Sequence, residues 1–119
     1  MSREIKFRAW IPWHNEMKYD ELSVGFDRSA VWYDGSPLEK QPILMQYTGL
    51  KDKNGVEIYE GDIVICDGRR CTVMWQQSDC SFRYKSEFEP NHYYVIPYND
   101  SEEVIGNIYE NPELLERSV

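Results

Sequence analysis

The cysteines and one histidine are the residues that come nearest to forming a metal site. Cys66, Cys71 and Cys80 together with His92 could supply the Cys3His ligand set that zinc accepts. Their spacing matches no usual zinc knuckle or ribbon, and the chain contains no CxxC pair. We therefore predict free thiols, with Cys66 and Cys71 facing each other as small buried residues, and neither a metal nor another cofactor.

Residues suited to acid–base or nucleophilic catalysis are few. His14 and His92 each lie near a glutamate in a loop-like segment, and neither belongs to a Ser-His-Asp or Cys-His arrangement. Glu60 and Asp62 could form a carboxylate pair, but turn capping and solvation explain their positions equally well. Because no catalytic constellation emerges, we predict a protein that is not an enzyme.

A short segment, Asp52 to Gly55, begins like a calcium loop. An EF-hand needs glycine at its sixth position and glutamate at its twelfth. With Gly55 at the sixth position, Gly61 falls at the twelfth and supplies no carboxylate. A tight turn is therefore the better interpretation.

The charge of the chain limits its partners. The net charge is −8, from 21 acidic and 13 basic residues, and phosphate backbones are bound mainly by lysine and arginine. Nucleic acid is therefore an unfavourable partner. An alternative hypothesis is an acidic decoy that mimics nucleic acid and occupies a host DNA-handling protein. Its motivation is the charge and a group of acids near one end, namely Glu102, Glu103, Glu110, Glu113 and Glu116.

A minority interpretation is weak nucleic-acid binding through one face of a small barrel. Tyr93 and Tyr94 would stack on bases while Arg83 and Lys85 contact phosphates. Solvated charge on strand faces explains the same residues more simply.

The termini and hydropathy predict where the protein resides. No apolar run approaches the roughly 18 residues that a membrane-spanning helix needs. The first ten residues, MSREIKFRAW, lack an apolar core of signal-peptide length. We predict a cytoplasmic protein with no membrane partner.

These candidate residues must be positioned by strands, and Leu44–Val64 is the organising segment. Asn54-Gly55 lies between apolar runs and predicts a hairpin with a type I′ turn, which needs positive φ at both central residues. Gly61-Asp62 then starts a new strand that continues into Ile63–Ile65. We expect this segment to form the centre of the sheet.

The N-terminal segment shows a period-two pattern. Apolar Ile5, Phe7, Ala9 and Ile11 alternate with Lys6, Arg8 and Trp10, as in a strand with one buried face, and Met17–Tyr19 is expected to return as a hairpin. Less clear strands are expected near Val24 and Phe26 and over 30–33.

Two further hairpins have a register that can be argued. A two-residue Asp67-Gly68 turn would set Cys66 opposite Arg69, whereas a four-residue loop would set Cys66 opposite Cys71. We predict the four-residue loop because it gathers more apolar residues on one face. The next hairpin is expected to pair Trp75 with Phe82 and Val73 with Tyr84.

The strand and turn pattern predicts a single domain over 1–119 that is mainly β. We expect a small, partly open, SH3-like antiparallel barrel over 43–109. An N-terminal hairpin with variable loops over 1–42 would be added outside it. Gly106 is expected at a bulge or at a close contact, and Asn111-Pro112-Glu113 predicts a short helix over 111–117.

Four segments resemble the YopX family of phage and prophage proteins. They are Ile5–Trp10, Leu44–Gly55, Ile58–Val64 and Val104–Pro112, which occur in this order and cover both ends and the middle of the chain. The resemblance implies a mainly β protein encoded by a phage or prophage. It implies no activity and supplies no catalytic residue.

The remaining candidates are aromatic side chains that could bind a partner. Trp10 falls on the Lys6/Arg8 face of the first strand, where it either packs under a loop or anchors an interface; Trp13, Trp32 and Tyr33 are further weak candidates. The leading hypothesis is a non-enzymatic protein-interaction module. Its partner would be an unknown host or phage protein, or a second copy bound through a strand edge as a homo-oligomer.

Overall fold

The computed structural model describes residues 4–19, 22–24, 30–32, 40–86, 93–96 and 101–115 of the chain. These residues are mainly β. The strands are β1 Phe7–Ile11, β2 Glu16–Lys18, β3 Leu22–Val24, β4 Ala30–Trp32, β5 Ile43–Lys51, β6 Glu57–Tyr59, β7 Asp62–Cys66, β8 Arg69–Gln76, β9 Ser81–Ser86, β10 Tyr93–Val95 and β11 Glu103–Asn107. The described residues contain no helix long and apolar enough to span a membrane.

The first sheet has four strands in the order β2–β1–β5–β6. β1 and β2 form the expected antiparallel hairpin, with Trp10 opposite Met17. The two edges of this sheet approach each other, because Tyr19, directly after β2, contacts Tyr59 of β6 with ring centroids 5.9 Å apart. Strand twist accumulated over the sheet thus curls it into a half-barrel.

The second sheet has five strands in the order β10–β9–β8–β7–β11. The predicted four-residue loop between β7 and β8 is wrong: Cys66 pairs with Arg69 and Val64 with Cys71. Asp67 and Gly68 have φ of 53° and 79°, which are the signs of a type I′ turn. This turn matches the strand twist, so turn geometry determined the register that apolar counting had assigned otherwise.

The β8–β9 hairpin and the bulge in β11 agree with the sequence. Trp75 lies opposite Phe82 and Val73 opposite Tyr84, as predicted. The pairing of β11 with β7 shifts register between Val104 and Gly106, which confirms the bulge.

The β5–β6 hairpin is confirmed, but its turn is not type I′. Gly55 has a φ of 81°, whereas Asn54 is not among the described non-glycine residues with positive φ. The Gly55 N–H donates to the Asp52 carbonyl (3.0 Å), and the Asp52 N–H donates to the Val56 carbonyl (2.8 Å). The result is a three-residue loop over 53–55 with Gly55 in the left-handed region. The Asp52 carboxylate stabilises this loop by accepting hydrogen bonds from the N–H groups of Asn54 and Val56.

The main core lies between the sheets. Its buried residues are Ile58, Val64, Cys66, Cys71, Val73 and Tyr84, of which Ile58 comes from the first sheet and the others from the second. Ile58 thus links the first sheet to this cluster, while Ala9 and Ile11 form a second, smaller cluster within the first sheet.

The expectation of one buried and one exposed face for β1 is wrong. Arg8 is 4% exposed and Trp10 is 7% exposed, whereas Ile5, before the strand, is 66% exposed. The second face is covered because Arg8 pairs with Asp62 of β7 and Trp10 stacks on Tyr109. A polar side chain was thus buried by a specific partner that periodicity does not reveal.

The predicted minor strands and the C-terminal helix have mixed outcomes. β3 and β4 pair antiparallel, whereas Phe26 and Tyr33 lie outside the described residues. Pro112–Leu115 forms only a 3-10 helix, Asn111 lies before it, and residues 116 and 117 of the helix expected over 111–117 lie outside the described residues. The SH3-like arrangement and the division into 1–42, 43–109 and 111–117 stay predictions.

Candidate functional site

A cleft of about 340 Å³ opens where the curled sheet meets β11 and the turn after it. We call it the junction cleft. Its lining includes Arg8, Tyr19, Val56, Tyr59, Asp62 and Glu110. Both edges of the first sheet and the edge strand of the second thus contribute to one surface.

An ion pair forms the floor of the junction cleft. Arg8 Nη2 lies 2.9 Å from Asp62 Oδ1, and both side chains are 3% exposed. The same Nη2 donates to the Glu60 carbonyl (3.2 Å), and the guanidinium lies 4.8 Å from the centroid of the Tyr59 ring. Asp62 Oδ2 accepts from the Tyr59 N–H (2.7 Å). These contacts tie β1 to β7 across the interior.

Burial dominates the electrostatics of this floor. Desolvation raises the pKa of Asp62 to about 6, against the opposing effects of the Arg8 charge and the Tyr59 N–H. Burial, with the Glu57 charge, likewise raises the pKa of Tyr59 to about 12. Arg8 Nε is buried and has no hydrogen-bond partner among the described residues. The floor therefore holds an Arg–Asp pair at considerable desolvation cost.

The rim of the junction cleft is more exposed and combines apolar with acidic groups. Tyr19 is 50% exposed and Val56 is 46% exposed. Glu57 forms an ion pair with Lys6, and Glu110 Oε1 accepts from Asn107 Nδ2 (2.9 Å). A ligand in the cleft would thus meet an aromatic ring, an aliphatic side chain and carboxylates.

Asp52 connects the β5–β6 turn to β11. Besides its two contacts within the turn, Oδ2 accepts from the Val104 N–H (2.9 Å). Burial by itself raises the pKa of Asp52, but the three backbone donors of Val104, Val56 and Asn54 and the nearby Lys53 charge outweigh it, so this pKa lies below its usual range. The carboxylate that resembled a calcium ligand is thus engaged by backbone N–H groups.

The candidate partner-binding aromatics lie in different surroundings. Trp10 stacks on Tyr109 at 5.7 Å, with the rings 19° from parallel, so it packs under the turn after β11. Trp13 is half-buried and packs on Ala9 and Ile11. Trp32 ends β4, and Tyr33 lies outside the described residues.

The cysteines do not gather around a common point. Cys66 and Cys71 are buried within the core, whereas Cys80 is exposed in the β8–β9 turn. Burial, together with the Glu102 charge, raises the pKa of Cys66 to about 12, so this thiol stays protonated near neutral pH. His92 lies outside the described residues, and within them no three potential ligands cluster as a metal would require.

The residues of the two alternative hypotheses are only partly brought together. Tyr93 faces Lys85, and Val95 faces Arg83, but Tyr94 faces Tyr84 and packs on the core. Tyr94 therefore lies on the opposite face of the sheet from Arg83 and Lys85.

The acidic residues of the decoy hypothesis are likewise only partly brought together. Glu102 is 3% exposed and accepts a hydrogen bond from the Tyr84 hydroxyl, and Glu103 pairs with Lys53 at 3.4 Å. Burial, with this bond to Glu102, raises the pKa of Tyr84. Glu116 lies outside the described residues. Glu102 is thus unavailable to an exposed acidic stripe.

The sequence interpretation missed the two residues at the floor of the cleft. Arg8 was assigned to a solvated strand face and Asp62 to a turn. The available signal was Asp62 itself, directly before the apolar run Ile63–Ile65, because a carboxylate entering a buried strand needs a cationic or hydrogen-bonding partner.

Comparison with known proteins finds a matching family model and a similar solved structure. A family model described as YopX protein matches residues 6–116. The chain is also similar to a solved structure, protein EF1440 from Enterococcus faecalis, with 33% sequence identity and a TM-score of 0.70. That similarity covers 97% of this chain and 100% of the other. No curated protein matches.

Proposed function

We propose that this protein, which belongs to the YopX family, is a non-enzymatic protein-interaction module whose partner binds in the junction cleft. The partner is a phage or host protein, and the module acts during the life cycle of a phage or prophage. Protein EF1440, whose solved structure is similar and whose sequence is 33% identical to this chain, has a name that states no activity.

The observation that supports this proposal most directly is the rim of the junction cleft. Tyr19 and Val56 are about half exposed beside a concave surface of about 340 Å³. Aromatic side chains next to a pocket are typical anchors of protein interfaces, since they bury a large area at a small entropic cost.

The edges of the first sheet give a second argument. β6 is an edge strand, and its residues Glu57 and Tyr59, with the adjoining Val56, line the junction cleft. A partner segment in extended conformation could therefore contact side chains in the cleft and backbone groups along β6. Pairing of two copies through such an edge remains part of the proposal.

A further argument concerns the polar floor. Arg8 and Asp62 form an ion pair with each other; Arg8 also donates to the Glu60 carbonyl, and Asp62 accepts from the Tyr59 N–H. These groups fix the shape of the cleft, which suits recognition of a partner by a rigid surface.

The experiment begins with capture of partners from induced or infected cells and continues with calorimetric titration of each purified partner. The cleft variant carries Tyr19→Ser and Val56→Ser together. The control is Val95→Ser, whose side chain is 53% exposed on the outer face of the second sheet. We expect the cleft variant to bind at least about tenfold more weakly, because two anchors of about 1 kcal/mol or more are lost, and the control to bind like the wild type.

Two results would overturn the proposal. One is a direct partner that binds the folded cleft variant with wild-type affinity. The other is that no captured protein binds the purified wild type directly. Trp13→Ser in the same titration tests the separate proposal that the half-buried Trp13 contacts the partner; Trp10, Trp32 and Tyr33 are the other proposed contacts.

A further inference from the structure

A second, smaller pocket lies apart from the junction cleft. It has a volume of about 270 Å³ and is lined by Gln46 and Glu60 of the first sheet region and by Trp75 and Phe82 of the β8–β9 hairpin. We call it the Trp75 pocket. It shares no described lining residue with the junction cleft, and the proposed function does not use it.

Two aromatic rings form adjoining walls of the Trp75 pocket. Trp75 and Phe82 are cross-strand partners whose ring centroids lie 5.1 Å apart, with an angle of 75° between the rings. The Trp75 indole N–H donates to Gln77 Oε1 at 3.1 Å, which fixes the orientation of the ring. Trp75 nevertheless remains 40% exposed, so its surface is accessible to a ligand.

A carboxylate completes the lining. Glu60 is half-buried; its Oε1 accepts from the Gln46 N–H (3.2 Å), and it forms no ion pair with any described residue. The carboxylate therefore retains hydrogen-bonding capacity and an uncompensated charge close to two aromatic rings.

Aromatic rings set at a steep angle beside a carboxylate are the chemistry that recognises organic cations. The face of a tryptophan ring attracts an ammonium group through its quadrupole, and the attraction is strongest where water is partly excluded. The net charge of −8 adds a general attraction for cations.

We propose that the Trp75 pocket binds an alkylammonium group. Trp75 and Phe82 provide the aromatic walls, and the Glu60 carboxylate provides the counter-charge. The group belongs either to a lysine side chain of a protein, methylated or not, or to a free small amine.

The test uses choline and its neutral isostere 3,3-dimethylbutan-1-ol, in which carbon replaces the quaternary nitrogen. Each is titrated at constant ionic strength into the full-length ¹⁵N-labelled protein, and the Trp75 indole N–H and the backbone amide resonance of Gln46, which also lines the pocket, are followed. We expect a saturable shift with choline and binding of the isostere about tenfold weaker or more, because only the cation interacts with the ring quadrupole and with Glu60. Acetylated and amidated lysine and trimethyllysine, titrated in the same way, distinguish a protein side chain from a free amine.

Variants assign the site. Glu60→Gln should weaken choline binding about fivefold, because the charge interaction near the surface is lost, and Trp75→Leu and Phe82→Leu should abolish it. Tyr93→Leu is the control, since Tyr93 is 38% exposed on the outer face of the same sheet. Its choline affinity should equal that of the wild type.

Three results would overturn the proposal. They are the absence of a saturable shift with choline, equal affinity for the neutral isostere, and unchanged choline binding in a Trp75→Leu or Phe82→Leu variant whose amide spectrum shows a retained fold. A general loss of folding in one aromatic variant leaves the other, and Glu60→Gln, to decide.

Discussion

At the residue scale, the contact between Arg8 and Asp62 has the clearest consequences for the stability of the fold. It joins a strand of the first sheet to a strand of the second, and both side chains are 3% exposed. A buried pair of this kind adds little to stability compared with an apolar pair, but loss of one partner leaves a charge without compensation. The pair is therefore a sensitive position for mutation.

Replacing Arg8 by methionine tests this dependence. Arg8→Met leaves the Asp62 carboxylate buried without its cation, so we expect the free energy of unfolding at pH 7.5 to fall by roughly 3–5 kcal/mol. Chemical denaturation followed by tryptophan fluorescence measures the change. The control is Lys6→Met, because the Lys6–Glu57 pair is about one-third exposed on each side and should contribute much less to stability. Equal losses in the two variants would contradict the importance of the buried pair.

The pH dependence of stability follows from Asp62. Its pKa in the folded protein is about 6, above the usual 3.8 of an aspartate, because burial disfavours the charged form. Between pH 6 and pH 4 the folded state therefore binds more protons than the unfolded state, and this residue makes the protein more stable as the pH falls. Its stabilising contribution is lost as the pH rises through about 6.

Comparison of the wild type with Asp62→Asn isolates this effect. The free energy of unfolding of the wild type minus that of the variant should increase as the pH is lowered from 7 to 4.5, since the variant cannot titrate there. Below pH 4 both proteins also lose the contribution of Asp52, whose pKa is depressed. A difference that is constant from pH 7 to 4.5 would show that burial does not control Asp62.

At the element scale, the turns determine how the strands pair. Gly61 ends the turn that leads into β7 and has a φ of 90°, and a Cβ atom there would lie 2.9 Å from Met45 Sδ. Gly68, in the β7–β8 turn, has a φ of 79°, but a Cβ atom there would have no neighbour within 4 Å. The two glycines therefore share the backbone constraint and differ in their contacts.

Alanine at each glycine separates the two effects. Gly68→Ala should lower the free energy of unfolding by about 1–2 kcal/mol, the cost of a side chain in the left-handed region. Gly61→Ala should cost more, by about 1 kcal/mol or more, because the thioether of Met45 must also move. Thermal denaturation of both variants measures the difference. Equal costs would mean that Met45 adjusts freely.

Asp52 holds the β5–β6 hairpin against β11. Asp52→Ala removes an acceptor from the N–H groups of Asn54, Val56 and Val104. We expect a loss of roughly 2–3 kcal/mol, at about 1 kcal/mol for each hydrogen bond. The exposed Asn54→Ala serves as the control in chemical denaturation and should change stability by less than about 0.5 kcal/mol. A loss in Asp52→Ala no larger than that of the control would contradict the role of this carboxylate.

At the scale of the whole molecule, strand content and hairpin order were accessible from the sequence, and the contacts between the sheets were not. Asn54-Gly55 and Gly61-Asp62 predict a hairpin and a strand start because glycine and turn residues act locally. The Asp67-Gly68 register was mispredicted because counting apolar residues ignored that both turn residues could adopt positive φ. Arg8 was assigned to solvent because strand periodicity describes only one strand, whereas its partner lies 54 residues away on β7.

The candidate site was inaccessible for the same reason. The junction cleft requires the first sheet to curl until Tyr19 meets Tyr59, and neither residue carries a local signal for that contact. The Trp75 pocket, in contrast, was partly predictable from the sequence, since the pairing of Trp75 with Phe82 followed from the spacing of these residues. Glu60 joins that pair only through the packing of the two sheets.

The central claim is that a partner binds in the junction cleft, and amide hydrogen exchange in the presence of a saturating partner tests it most directly. We predict slower exchange at Val56, Glu57 and Glu110 on the rim, with exchange at Tyr93 and Val95 on the outer face of the second sheet unchanged. Protection confined to that outer face, with the rim of the cleft exchanging as in the free protein, would contradict the account.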